Sequence, residues 1–113
     1  MPQKPEVRDA WEDHDAAVTA MLDAVIREYA IDTSRQYLTG LSQGGHGTWA
    51  IGARHADRWA AIAPICGYGD PEAIAPRLKD MPIWCFHGDA DPAVPLAQSE
   101  KMVEAIKAAG GSP

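Results

Sequence analysis

No stretch of this 113-residue sequence approaches the roughly 18 consecutive apolar residues that a membrane-spanning helix requires. The opening, MPQKPEVRDAWEDHD, is polar and lacks the apolar core of a secretory signal, which implies a cytoplasmic protein if the chain is complete. Basic residues are scarce. Ten Lys and Arg stand against 16 Asp and Glu, for a net charge of -6, and no basic cluster occurs. That balance argues against partnership with nucleic acid or an anionic membrane. Cysteine is nearly absent too. Cys66 and Cys85 have no CxxC spacing and sit among apolar residues, so they read as reduced core positions, neither a disulfide nor a metal pair. Internal repeats, low-complexity segments and linkers are also missing, which leaves one domain over residues 1–113.

What the sequence does hold is enough apolar residue, 46%, to build a core. Residues 9–30 form an amphipathic pattern. Asp9 is placed to cap it with Glu12 in a capping-box arrangement, and Trp11, Val18, Met21, Leu22, Val25, Ile26 and Tyr29 lie on one stripe. RQYLTGL reads as a strand, HGTWAIGARHAD as a helix, WAAIAPICG as a second strand and MPIWCFHG as a third. DPEAIAPRLKD is a short helix or irregular turn interrupted by Pro71 and Pro76. PLAQSEKMVEAIKAAGG is a helix with Leu96, Met102, Val103 and Ile106 on its buried stripe, stopped by Gly110 and Gly111. Strands without polar alternation, separated by helices, predict the α/β class: a three-layer parallel sheet flanked by helices.

Between the first strand and the next helix lies GLSQGGHG, and Gly40-Leu41-Ser42-Gln43-Gly44 fits G-x-S-x-G. The chain must turn from strand to helix within a residue or two, which strains Ser42. Gly40 and Gly44 carry no side chain to collide with the reversal, and Gly45 eases the approach of helix to strand. Ser42 then becomes the candidate nucleophile, with the amide of Gln43 aimed at a developing oxyanion. A plainer reading makes Ser42 only a helix cap. A phosphate-cradling loop fits worse, because neither G-x-x-x-x-G-K-[ST] nor G-x-G-x-x-G is matched.

A second cluster, His87-Gly88-Asp89-Ala90-Asp91, follows the third strand, where a triad carboxylate belongs. A solvated acidic turn is the plainer reading here. His87, Asp89 and Asp91 could also be viewed as metal ligands, but no further cluster completes a shell, so neither metal nor cofactor is expected.

These segments together resemble the α/β-hydrolase superfamily, and within it the serine esterases near the feruloyl esterases and the phospholipase/carboxylesterases. The residues carrying the resemblance are IDTSRQYLTGLSQGGHGTWAIGARHADRWAAIAPICGYGDP and MPIWCFHGDADPAVP. It implies Ser42 as nucleophile and Asp91, rather than Asp89, as the acid. It also implies a partial fold, the three strands matching the fifth to seventh of about eight. The triad histidine and the second oxyanion amide would then come from segments with no counterpart here. Of the four histidines, His46 reads as packing or capping, His55 as exposed and His87 as structural, while nothing in the sequence brings His14 to the site. The expected activity is hydrolysis of a small-molecule carboxylic ester, weak or dependent on a second chain. The alternative is a non-catalytic truncated fragment that folds by self-association. Either way, open sheet edges predict a homo-oligomer.

Overall fold

A computed structural model describes residues 10–113, so the cap expected at Asp9 lies outside the described residues. The first helix begins as a 3-10 turn, Trp11–His14, and continues as α1, Asp15–Glu28. Neither start has a side-chain cap bond. Glu12 serves another purpose. Its carboxylate meets His46 Nε2 at 3.2 Å and its carbonyl accepts from Arg54 at 3.0 Å. Only the near end of the expected stripe, Trp11, Val18 and Leu22, packs against the core, while Met21, Val25 and Tyr29 are exposed. Polar contacts hold α1 in place where apolar burial is thin: Asp15 lies 2.6 Å from His55 Nε2, and Asp23 forms an ion pair with Arg58 at 2.6 Å.

Strand β1, Tyr37–Leu41, runs parallel to β2, Ala61–Ile65, and helix α2, Gln43–Arg54, crosses between them. Residues 82–86 form the third extended segment. They touch β2 at two separate bridges, Ile62 with Ile83 and Ile65 with Phe86, where an unbroken strand was expected. The hydrogen bonds explain the interruption. Ile62 N–H donates to Pro82, Trp84 N–H to Ile62, Phe86 N–H to Pro64, and Cys66 N–H to Phe86. The missing rung is the one Pro64 would donate, because proline has no N–H. The segment is a parallel strand with one rung removed.

Helix α3, Pro71–Leu78, is regular despite its two prolines. Pro71 occupies the first turn, where its N–H would be unpaired anyway, and Asp70 caps the helix by accepting from Glu72 N–H at 3.1 Å. Helix α4, Ala97–Ala108, buries Met102 and Ile106 fully and leaves Leu96 and Val103 half-buried. It ends in a Schellman turn, with Gly110 at φ 99°. Gly110 N–H bonds to Lys107 and Gly111 N–H to Ile106.

The core lies between the sheet and helices α2, α3 and α4, centred on Trp49, Ile62, Leu78, Met102 and Ile106. Leu38, Ile83 and Cys85 face the same side. Both cysteines are free and half-buried, and burial pushes the Cys85 thiol up, against a smaller pull from Ser99. The α/β class and the parallel sheet stand as expected. Among the described residues the apolar helix faces gather on one side of the sheet. Tyr37, Thr39 and Leu41 of β1 and Trp84 and Phe86 of the third segment are exposed on the other.

Candidate active site

Ser42 sits between the last residue of β1 and the first of α2, with φ 58° and ψ -112°. This lies outside the regions open to L-residues at low cost, and such a conformation typically stores about 1–3 kcal/mol. Both sides of the residue are pinned. Its N–H donates to Ile65 C=O at 2.9 Å, and its C=O accepts from His46 N–H at 3.0 Å. The side chain makes no cap hydrogen bond to the helix it precedes. That removes the reading of Ser42 as only a helix cap.

The two glycines of the motif have different surroundings. A Cβ on Gly40 would stand 2.2 Å from the carbonyl oxygen of Gly44, so strand and helix start are in direct backbone contact there. A Cβ on Gly44 would meet nothing within 4 Å. The expected collision therefore holds at Gly40 and not at Gly44. Gly45 is the second close approach, since a Cβ there would fall 2.5 Å from Ile65 C=O. Gln43 opens α2, so its amide belongs to the first turn at the helix's positive end.

Asp91 lies on the loop after the third segment, at the same carboxyl rim of the parallel sheet as Ser42. One of its oxygens accepts from Ala93 N–H at 2.9 Å and Val94 N–H at 3.0 Å. These bonds, Val94's first, hold its carboxyl below the usual carboxylate range, with a smaller contribution from His87. Asp91 thus stays ionised at neutral pH, as a group that must orient an imidazole requires. The structure brings Ser42 and Asp91 to one rim but not into contact, because β2 lies between their strands.

Three histidines have their ring nitrogens engaged elsewhere. His46 stacks on Tyr68 at 4.7 Å, and its Nδ1 lies 2.9 Å from Tyr68 C=O. His55, expected to be exposed, is half-buried against Asp15. His87 is almost wholly buried, with Nδ1 2.7 Å from Ser99 Oγ and Nε2 2.7 Å from Val94 C=O. Val94 C=O can only accept, so Nε2 carries a proton. Asp91 is 3.7 Å from that same nitrogen. His87 thus ties the acid loop to α4. Sequence spacing placed it beside the acid but did not reveal Ser99 as its partner. His14 lies in the 3-10 turn, and among the described residues no group of three His, Cys, Asp or Glu could hold a metal ion.

The sequence profile of the Dienelactone hydrolase family matches residues 3–112. A bifunctional acetylxylan esterase/xylanase from Neocallimastix patriciarum is 36% identical over 90 residues, covering 77% of this chain and 13% of its own length. Acyl-protein thioesterase 1 homolog 2 of Dictyostelium discoideum is 33% identical over 81 residues, covering 68% of this chain and 36% of its own. Among solved structures, a thermostable esterase is 43% identical with a TM-score of 0.80, over 85% of this chain and 25% of its own. Esterase PE8, at 23% identity and a TM-score of 0.76, shares the fold over 97% of this chain and 55% of its own. The chain spans between 13% and 37% of the curated relatives it matches first.

Proposed function

Because the chain belongs to the dienelactone hydrolase family, a family of α/β-hydrolases with esterase relatives, we propose that it carries the nucleophile and the acid of a serine carboxylic-ester hydrolase. The observation that carries this reading is the strained, uncapped backbone of Ser42 at the mouth of α2. Ser42 Oγ attacks the ester carbonyl carbon while its proton passes to a base. The tetrahedral oxyanion accepts from the Gln43 amide. The alkoxide leaves with a proton from the base, and water then cleaves the acyl-serine, regenerating the hydroxyl. Asp91 orients the base and stabilises its charged form. The base is an imidazole supplied from outside the set His46, His55 and His87, each of which is bonded elsewhere.

That last observation also favours a second reading, a non-catalytic hydrolase module. Without a base, the serine hydroxyl is almost fully protonated at neutral pH and attacks poorly. One experiment separates the two. The protein is incubated with a short-chain nitrophenyl ester and a fluorophosphonate probe, beside Ser42→Ala. Labelling at Ser42 with a burst of nitrophenol supports the hydrolase. Equal background for both proteins refutes it and leaves the non-catalytic module.

A further inference from the structure

His46 lies on the first turn of α2, and its N–H bonds to the Ser42 carbonyl at 3.0 Å. Its ring is mostly buried, and both ring nitrogens face oxygens that accept. Nδ1 lies 2.9 Å from Tyr68 C=O, and Nε2 lies 3.2 Å from the Glu12 carboxylate. A backbone carbonyl only accepts, which places a proton on Nδ1. A neutral ring would then turn the lone pair of Nε2 toward an ionised carboxylate. Only a ring with both protons satisfies both partners. The Tyr68 ring lies parallel to it, 4.7 Å away between centroids and 9° between planes. A cationic ring gains from the negative face of the tyrosine in that arrangement.

The other charges facing the ring have partners of their own or stand off from it. His46 shares a cleft between the start of the chain, α2 and α3 with Glu12, Arg54, Asp70 and Arg77. Arg54 pairs with Asp15 at 3.4 Å and donates to the Glu12 carbonyl, not to its carboxylate. Asp70 is occupied in capping α3, and Arg77 is exposed on that helix. Two acids and two bases balance across the cleft, which leaves the direct contact with Glu12 to decide whether the second proton stays.

The same ring fastens a loop. Residues 66–70 follow β2 at the carboxyl rim that carries Ser42 and Asp91. Cys66 takes φ 40°, and a Cβ on Gly67 would stand 2.6 Å from the Gly45 carbonyl carbon, so this backbone touches the start of α2. Tyr68, the next residue, meets His46 through both its carbonyl and its ring.

We propose that His46 is a positioning residue, held as an imidazolium between Tyr68 and Glu12, whose second proton clamps residues 66–70 onto the turn carrying Ser42. The clamp is made in mildly acid solution, where Glu12 is ionised and the ring is charged. It loosens as pH rises and Nε2 gives its proton to water in the cleft. The bearing of the clamp on catalysis rests on Ser42 being the nucleophile; the clamp itself does not.

The test is nitrogen-15 NMR of the imidazole rings in the intact chain, titrated from mildly acid to mildly alkaline solution, with the amides of residues 66–70 followed alongside. Both His46 nitrogens should carry protons at the acid end, Nε2 should be the one that loses its proton, and the amides should move with it. At a pH where the wild-type ring is half charged, Glu12→Gln should cut the ratio of charged to neutral His46 by about threefold, as for a half-exposed ion pair. Asp70→Asn removes the cleft's other carboxylate but keeps the cap, and should change the ratio by less than about twofold, since that charge is not in contact. His46→Gln keeps a donor for Tyr68 C=O and should abolish the pH-dependent movement of residues 66–70. An unchanged ratio in Glu12→Gln overturns the proposal, as does an equal effect of Asp70→Asn. Proton loss from Nδ1, or amide movement that persists in His46→Gln, overturns it too. None of these readouts uses turnover, so a protein inactive in the ester assay leaves the test of the clamp intact.

Discussion

The G-x-S-x-G pattern treats its two outer glycines alike, and the structure does not. In Gly40→Ala the new methyl would lie 2.2 Å from the Gly44 oxygen and 2.4 Å from its carbonyl carbon, more than an ångström short of ordinary contact. The obstacle is backbone, and it cannot rotate away. It is the first turn of α2, fixed by the bonds of Ser42 to Ile65 and of His46 to Ser42. Overpacking of this kind costs about 1–3 kcal/mol, and a rigid wall puts Gly40→Ala at the upper end. At a urea m-value of about 1.5 kcal/mol/M, a loss of ~3 kcal/mol moves the unfolding midpoint down by roughly 2 M. Gly44→Ala meets open space within α2, where replacing glycine gains up to about 1 kcal/mol. Its midpoint should hold or rise. The assay is urea unfolding of both variants at one fixed protein concentration, since any self-association couples to stability. Equal losses for the two, or no loss for Gly40→Ala, would refute the account of the turn.

Two further outcomes follow from the acid loop. The folded Asp91 carboxyl titrates below its unfolded value of about 3.9, so its stabilisation is complete above that pH and is lost as pH falls through the folded value. Asp91→Asn should therefore be less stable than wild type at neutral pH and converge with it in acid, and an NMR midpoint for Asp91 at or above 3.9 would contradict this. Nitrogen-15 spectra should show His87 with its proton on Nε2, as the Val94 carbonyl dictates, and His87→Ala should cost about 1–3 kcal/mol by leaving Ser99 and Val94 without their buried partner. The opposite tautomer would remove His87 as the tie between the acid loop and α4.

Much of this molecule could be read along the chain because local rules govern it. The order of helices and strands, the turn at Ser42 and the glycine stop of α4 all depend on neighbours a few residues away. The errors share one cause, in that each depends on what lies across space. Pro71 and Pro76 suggested a broken helix, yet α3 persists because the first proline needs no hydrogen bond and Ile74, Ala75 and Leu78 are buried. Pro64 gave no warning that it would interrupt the pairing of the strand beside it. Gly40 and Gly44 look equivalent until the strand lies against the helix. The stripe on α1 promised burial, but periodicity records which residues share a face and not whether anything covers it.

The sequence by itself determined the α/β class, the family and the place of Ser42 between strand and helix, since hydrophobic period and turn chemistry are written in neighbouring residues. Only the tertiary structure decided that His46, His55 and His87 are engaged away from the serine, that Asp91 is held ionised by Val94 and Ala93, and that the described helices pack on one face of the sheet. Those are matters of distance between residues far apart in the chain, and folding alone sets such distances.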